Sequence, residues 1–377
     1  VYNVKIYENI SFLTEETTMI LMPLNMIKEG MINAKPIYLS EDSILLDEGD
    51  VIRDRYLERI TELGIRSIYV KDDSSYKKSI HDIIREELRN SSSLSMEKIM
   101  GNICYVDEEE VEMTRDIITN IIEYLLTNDD ILVNLSEMKA MDDYAYEHSV
   151  NVSILSLIIA IKLGYDKEKL VDLGVGAMLH DIGKTKVDLG ILNKPSSLTM
   201  SEYDQIKKHT LIGYEMLNDI KNISYDSKII ALSHHERYDG SGYPYNAKGE
   251  GIHELARVVA VADVYDALTN DRVYRSRIST DEAVDYIASV SGSQFDSNIA
   301  DNFIENIARY PVGKGIILNT GFKGYVVFNK KNHVSRPIVR ILYNNMGERV
   351  KIPYIIDLSE TEDSIKVVGT TDDIELF

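Results

Sequence analysis

Leu179-His180-Asp181-Ile182-Gly183-Lys184 closes a stretch whose apolar residues recur at helical spacing, and its reading decides what surrounds it. Residues 168–181 place Leu170, Leu173, Ala177 and Met178 on one face, so the segment is expected to be a helix with Gly183 as its stop. An imidazole and a carboxylate side by side at a helix end can both turn toward one point, because the last turn relaxes there. Lys184 follows on the loop. Gly183-Lys184-Thr185 imitates the end of a phosphate-binding loop, but the required earlier glycine would fall at Met178, so no P-loop is present.

The helical pattern continues in both directions, over residues 111–310. Upstream, Ile117, Ile118, Ile121, Ile122 and Leu125 line one face. Residues 144–163 are apolar nearly all round until Gly164, which predicts a helix deep in a bundle with His148 facing inward near its start. Taken singly, His148 reads more simply as a satisfied core histidine. Downstream, Thr199-Met200-Ser201-Glu202 is a capping box opening the helix that holds His209. Residues 226–235 form a further helix, which runs into His234-His235-Glu236-Arg237-Tyr238-Asp239-Gly240-Ser241-Gly242-Tyr243-Pro244. Gly240, Gly242 and Pro244 prescribe a loop there, and Arg237, Asp239 and Tyr243 give it charged and aromatic groups. An isolated histidine pair is more often a surface or core feature than a metal site. Residues 254–270 are helical and include Asp263 and, one turn later, Asp266. Asp263 sits among Val258, Val259, Ala262 and Val264, where an unpaired carboxylate is costly. Its partner is expected to be Arg257 or a metal.

The flanks read differently. Residues 1–75 suggest a small α+β domain with a packing or sensory role: strands near Ile37, Ile44 and Ile68 surround a helix from Arg53. Residues 76–110 read as a helical linker, whose acidic run from Asp107 to Glu110 suits a helix start. Residues 311–377 return to strands, over 315–318, 324–328 and 337–342, as a short C-terminal β unit. The fold expected is therefore mainly α, a helical bundle between two small strand-bearing units.

At 377 residues and 44% hydrophobic content the chain can build two or three packed domains. A formal charge of −21 argues against nucleic acid or an anionic membrane as partner, while leaving room for a small anion in a local basic pocket. Cys104 is the single cysteine, which excludes an intrachain disulfide and a thiolate cluster and fits a reducing cytoplasm. The most apolar run, residues 152–161, is too short to span a bilayer, and the start at Val1 shows no signal peptide.

Five of the eight histidines (His148, His180, His209, His234 and His235) fall at the ends or inward faces of successive helices, leaving His81, His253 and His333 apart. With Asp181 and Asp263 they make seven nitrogen and oxygen donors without sulfur, too many for one tetrahedral zinc and suited to two first-row metals. Asp181 would bridge them. Such a pair, about 3.5–4 Å apart, supplies a hydroxide nucleophile and stabilises the oxygens of a phosphoryl displacement. Lys184 would hold a phosphate oxygen as a point charge.

These residues resemble the HD superfamily of metal-dependent phosphohydrolases. His180 to Lys184 and His234 to Pro244 are similar to its HD-GYP branch, as are Ala262-Asp263-Val264-Tyr265-Asp266-Ala267-Leu268-Thr269 and Arg272-Val273-Tyr274-Arg275. The resemblance implies a cytoplasmic bacterial signalling phosphodiesterase that opens cyclic di-GMP to linear pGpG, sometimes onward to GMP. It implies His148, His180, Asp181, His209, His234, His235 and Asp263 as metal ligands, with Asp181 and Lys184 catalytic. Substrate contacts would be Lys184, Arg237, Gly242, Tyr243, Pro244, Arg272 and Arg275. Tyr243 could stack on a guanine, and the Gly242-Tyr243-Pro244 turn would also shape the family's partner surface. Some members carry a glutamate one turn before the first histidine, where it helps bind a third metal. This chain has Tyr144 there, so two metals are expected and not a third, iron first and manganese as the rival. Asp266 and Tyr144 would stand behind the ligands. A homodimer through the linker is compatible with the pattern, although no sustained heptad demands it.

Two other readings keep part of this pattern. A di-iron oxygenase of the same superfamily would use the metals on a sugar alcohol, but Lys184 and the turn at Gly242 favour phosphate. A catalytically weak module that binds the dinucleotide and reports it fits less well with an intact ligand set. A nucleic-acid hydrolase conflicts with the acidic balance.

Overall fold

The computed structural model describes residues 19–71, 107–127, 144–270 and 277–371, apart from 24–26, 28, 29, 35, 41, 42, 48, 63, 64, 66, 193, 195, 312, 313, 331, 332, 362 and 363. Among the described residues, no helix is long and apolar enough to cross a membrane.

The N-terminal unit has two antiparallel pairs, β1 (Met19–Pro23) with β4 (Ser67–Lys71) and β2 (Ile37–Ser40) with β3 (Ser43–Leu46). Helix α1 (Asp54–Glu62) follows β3. Ile37, Leu46, Ile52, Tyr56, Ile60 and Ile68 close a core of their own. The expected linker over residues 76–110 lies outside the described residues as far as 106.

Helix α2 (Glu108–Thr127) starts where the acidic run predicts, with Asp107 Oδ1 accepting from the amides of Glu109 and Glu110. The bundle continues through α3 (Tyr144–Lys162), α4 (Lys167–Met178), α5 (Leu189–Leu192), α6 (Met200–Lys207), α7 (His209–Asn218) and α8 (Tyr225–Ser233). It ends with α9 (Glu254–Thr269), α10 (Thr280–Ser289) and α11 (Ser297–Asn306). Val152, Ile154, Leu157, Ile159 and Ala160 of α3 are fully buried, so this helix is the bundle's axis, packed on α4, α9 and α11. One apolar core runs from Val111 to Ile307.

Two helix ends depart from expectation. Helix α4 stops at Met178, with Leu179 to Asp181 in turn and Ile182–Lys186 in a 3-10 helix. Gly183 is therefore not the stop. It is a contact point: a Cβ there would lie 2.0 Å from the carbonyl oxygen of His209 and 2.6 Å from the amide nitrogen of Gly213. His209 in turn opens α7 and does not sit on the capped helix, because the chain breaks at Lys208. Thr199 and Glu202 do form the predicted capping box on α6.

The C-terminal unit is a five-stranded antiparallel sheet of β5 (Gly315–Leu318), β6 (Lys323–Phe328), β7 (Ile338–Tyr343), β8 (Arg349–Asp357) and β9 (Val367–Thr371). Its order is β8-β7-β6-β5-β9, over a core including Ile316, Val326, Val339, Ile341 and Ile356. The sequence reading named three of these strands. Pro353 within β8 and Gly369 within β9 obscure the other two.

Candidate metal centre

The end of α4, the starts of α3 and α7, the end of α8 and the middle of α9 converge on one buried point. His148, His180, His209, His234 and Asp263 are each at most 7% exposed. Their donor atoms, with those of Asp181 and His235, form two groups: Asp181, His209, His234 and His235 in one, and His148, His180 and Asp263 in the other. Within each group all donors lie within 4.8 Å of one another.

Asp181 joins the groups. Its Oδ1 is 3.4 Å from His209 Nε2 and 3.7 Å from His234 Nε2, while its Oδ2 is 3.3 Å from His180 Nε2 and 3.8 Å from His148 Nε2. Lys184 Nζ stands 2.5 Å from the same Oδ2. Across the cluster, Asp263 Oδ1 is 3.2 Å from His148 Nε2, and its Oδ2 is 3.7 Å from His235 Nδ1.

The helices aim the rings. His180 Nδ1 lies 2.7 Å from the carbonyl of Ala177, His209 Nδ1 2.7 Å from that of Ile206, and His234 Nδ1 3.1 Å from those of Ile230 and Ala231. A carbonyl can only accept, so each Nδ1 carries the proton and each Nε2 presents a lone pair to the centre. His148 is aimed by a side chain instead, its Nδ1 being 2.7 Å from Asp266 Oδ2.

Electrostatics separates the donors. Burial works against charge on His148, yet the carboxylates of Asp263 and Asp266 beside it hold its pKa up at about 9. Burial lowers His209 to about 4 and pulls His234 and His235 below their ordinary value. For Asp181 burial would raise the carboxyl, but Lys184 and His180 hold it well below the usual range, as His148 and His235 do for Asp263. The donor set fits divalent ions. His148 Nε2, His180 Nε2 and Asp181 Oδ1 are buried, point inward and have no hydrogen-bond partner, which is costly unless something electropositive lies between them.

One wall is the turn after His235. Gly242 lies against the backbone, where a Cβ would be 2.3 Å from the amide nitrogen of Arg237 and 2.5 Å from Glu236 Cα. The Tyr243 amide donates to the His235 carbonyl, and the Tyr243 ring lies 4.8 Å from the His235 ring before the cis bond to Pro244.

The family model described as "HD domain" matches residues 121–299, and that described as "KOW domain associated with HD domain" matches residues 316–374. A cyclic di-GMP phosphodiesterase of Pseudomonas aeruginosa is 34% identical over 255 residues, 67% of this chain and 61% of the relative. The first of the two family matches takes in the helices that carry the donors, so residues 121–299 are similar to an HD domain. A 3'3'-cGAMP-specific phosphodiesterase of Vibrio cholerae is 33% identical to this chain over 190 residues, covering 50% of it and 43% of the relative. The chain thus spans about three-fifths or less of the length of these relatives. An HDGYP-type protein of Bdellovibrio bacteriovorus shares the fold with a TM-score of 0.50 at 19% identity, over 76% of this chain and 98% of its own.

Within this region, the seven expected metal donors come together, Lys184 pairs with Asp181, and Tyr243, Gly242 and Pro244 form the wall beside His235. Arg237 is half-buried, with its Nε unpaired. Arg272 and Arg275 lie outside the described residues, as does the side chain of Tyr144. Arg257 is not the partner of Asp263, because it is engaged by Asp296. Two residues escaped the sequence reading. Asn270 Nδ2 donates to Asp266 Oδ1 at 2.7 Å and so steadies the carboxylate behind His148; its place one turn after Asp266 was the available signal. Glu236, 4% exposed, accepts from the amides of Tyr245 at 2.7 Å and Ala247 at 3.0 Å, which ties the loop back on itself.

Proposed function

We propose that this chain is a metal-dependent phosphodiesterase that hydrolyses cyclic di-GMP to linear pGpG, with GMP as a further product. The observation that carries the reading is Asp181, whose two oxygens face two separate donor groups while Lys184 stands beside one of them. Two divalent ions, iron first and manganese as the rival, would supply water activation and charge neutralisation at phosphate oxygens. His148, His180 and Asp263 would hold one, His209, His234 and His235 the other, and Asp181 both.

The chain's own side chains would do the rest. Lys184, 34% exposed and with three donors, can turn one hydrogen toward a phosphate oxygen while keeping Asp181 ionised. Arg237, Arg272 and Arg275 would add phosphate contacts, and Tyr243 would pack a base against the wall. We assign the enzyme to the cytoplasm, residues 1–75 to a sensory or regulatory domain, and the turn at Gly242 to a partner surface as well.

Elemental analysis of protein purified without air, combined with chromatography of the products from cyclic di-GMP and from 3'3'-cGAMP, tests metal number and reaction together. Two equivalents of metal with pGpG formation is the expected result. Metal-loaded protein that binds the dinucleotide without cleaving it would leave a binding module instead.

A further inference from the structure

We propose that Tyr203 forms, with Tyr243, a corner on which a nucleobase of the substrate stacks, making Tyr203 a specificity-determining residue; this rests on the phosphodiesterase reading above. The ring contacts run outward in a chain. His235 meets Tyr243 at 4.8 Å between centroids, and Tyr243 meets Tyr203 at 6.5 Å with the planes at 80°. Tyr243 is also 6.4 Å from the ring of His209. Two aromatic planes near a right angle offer an incoming base a face from one ring and an edge from the other, the two favourable aromatic geometries.

Tyr203 is 44% exposed and has no place in the bundle core, so its ring surface is available and packing does not explain it. It is nevertheless rigidly mounted. Glu202, next to it, accepts from the Thr199 amide at 2.7 Å and from Lys194 Nζ at 2.7 and 2.8 Å, which pins the start of α6. One turn on, Lys207 Nζ sits 5.1 Å from the Tyr203 centroid, tethered to Asp204 at 2.6 Å, and adds a cation beside the aromatic surface. A nucleobase is joined to its phosphate through a single sugar. With the scissile phosphate at Lys184 and Asp181, a base on that nucleotide falls on the wall that Tyr243 begins and Tyr203 extends. Stacking tolerates any base, since every base has a π face, which sets base-bearing diesters apart from simple ones without choosing between guanine and adenine.

The test uses the full chain with its metal restored, and the variants Tyr203→Ala, Tyr203→Leu and Tyr203→Phe. Tyr203→Ala and Tyr203→Leu are expected to raise KM for cyclic di-GMP about tenfold, the scale of one lost base stack, with kcat changed less than about twofold. Tyr203→Phe keeps the wild-type KM. A cyclic dinucleotide carrying 2-aminopurine reports stacking directly: its fluorescence is quenched by wild type and Tyr203→Phe and recovers with Tyr203→Ala and Tyr203→Leu. Wild-type KM and quenching in Tyr203→Ala and Tyr203→Leu, in a preparation whose wild type hydrolyses cyclic di-GMP, would overturn the stacking corner alone. A metal-loaded wild type that neither binds nor hydrolyses any cyclic dinucleotide would overturn the reading beneath it as well.

Discussion

His209 and His234 are oriented by main-chain carbonyls about one helical turn back, whereas His148, in the neighbouring donor group, is oriented by the carboxylate of Asp266. The first arrangement costs no side chain and leaves the rings neutral, since burial lowers His209 to about 4. The second places a histidine between two carboxylates, and in the metal-free protein it keeps a proton up to about pH 9. A ring held by backbone is disturbed only through itself or the helix that carries it. A ring held by side-chain charge can be weakened from the next residue out, and an incoming cation must first displace a proton.

Asp181→Ala removes the side chain both groups share. It is expected to abolish cyclic di-GMP hydrolysis and to lower bound metal in both groups, read by product chromatography and elemental analysis; surviving turnover would break the comparison at its common point. Gly183→Ala strikes the packing that brings α7, and with it His209, against the turn bearing Asp181. The new Cβ meets backbone at 2.0 Å, so unfolding in urea should show a loss of about 3 kcal/mol.

Asp266→Asn separates the two groups. Metal affinity on the His148 side should fall about 10–100-fold while the His209 side is unchanged, and a metal titration with two resolved phases checks this. Equal loss in both phases would show that the groups are not independently supported. In chelator-treated protein the same histidine gives a pH dependence of definite sign. Its folded pKa of about 9 lies above the ordinary 6.5, so its stabilisation is complete below 6.5 and is lost as pH rises through 9. The melting temperature should fall over that window in the wild type, and less in Asp266→Asn. Asn270→Ala, which leaves Asp266 in place with one bond fewer, should move the His148-side affinity in the same direction by less than about tenfold.

The sequence was most legible where periodicity and chemistry coincide. The apolar stripe of α2, the apolar α3 and the donors His180, Asp181, His234 and His235 could be read directly, because a buried histidine or aspartate in a helical pattern stands out against its neighbours. The break at Lys208 was hidden, since residues 200–218 keep a helical composition through the bend. Gly183 looked like a helix stop because a glycine's need for close approach leaves the same mark in a sequence as its need for an unusual dihedral. Asn270 offers only its spacing from Asp266 as a signal and Glu236 none, because each acts across a turn and nothing in residue type distinguishes that from a solvated surface group. The choice between Arg257 and a metal as partner of Asp263 needed the third dimension, where Asp296 engages the arginine.

Strand β5 lies between β6, its neighbour in sequence, and β9, with Gly315 opposite both Tyr325 and Thr371. A chain leaving the ribosome would therefore finish these two regions at different times. The helices that carry the donors have emerged before β5 appears, but β5 keeps one side unpaired until Thr371 is free. Vectorial synthesis would thus give the metal centre a head start over the β unit, and a stall between β8 and β9 would leave a finished bundle attached to an exposed strand.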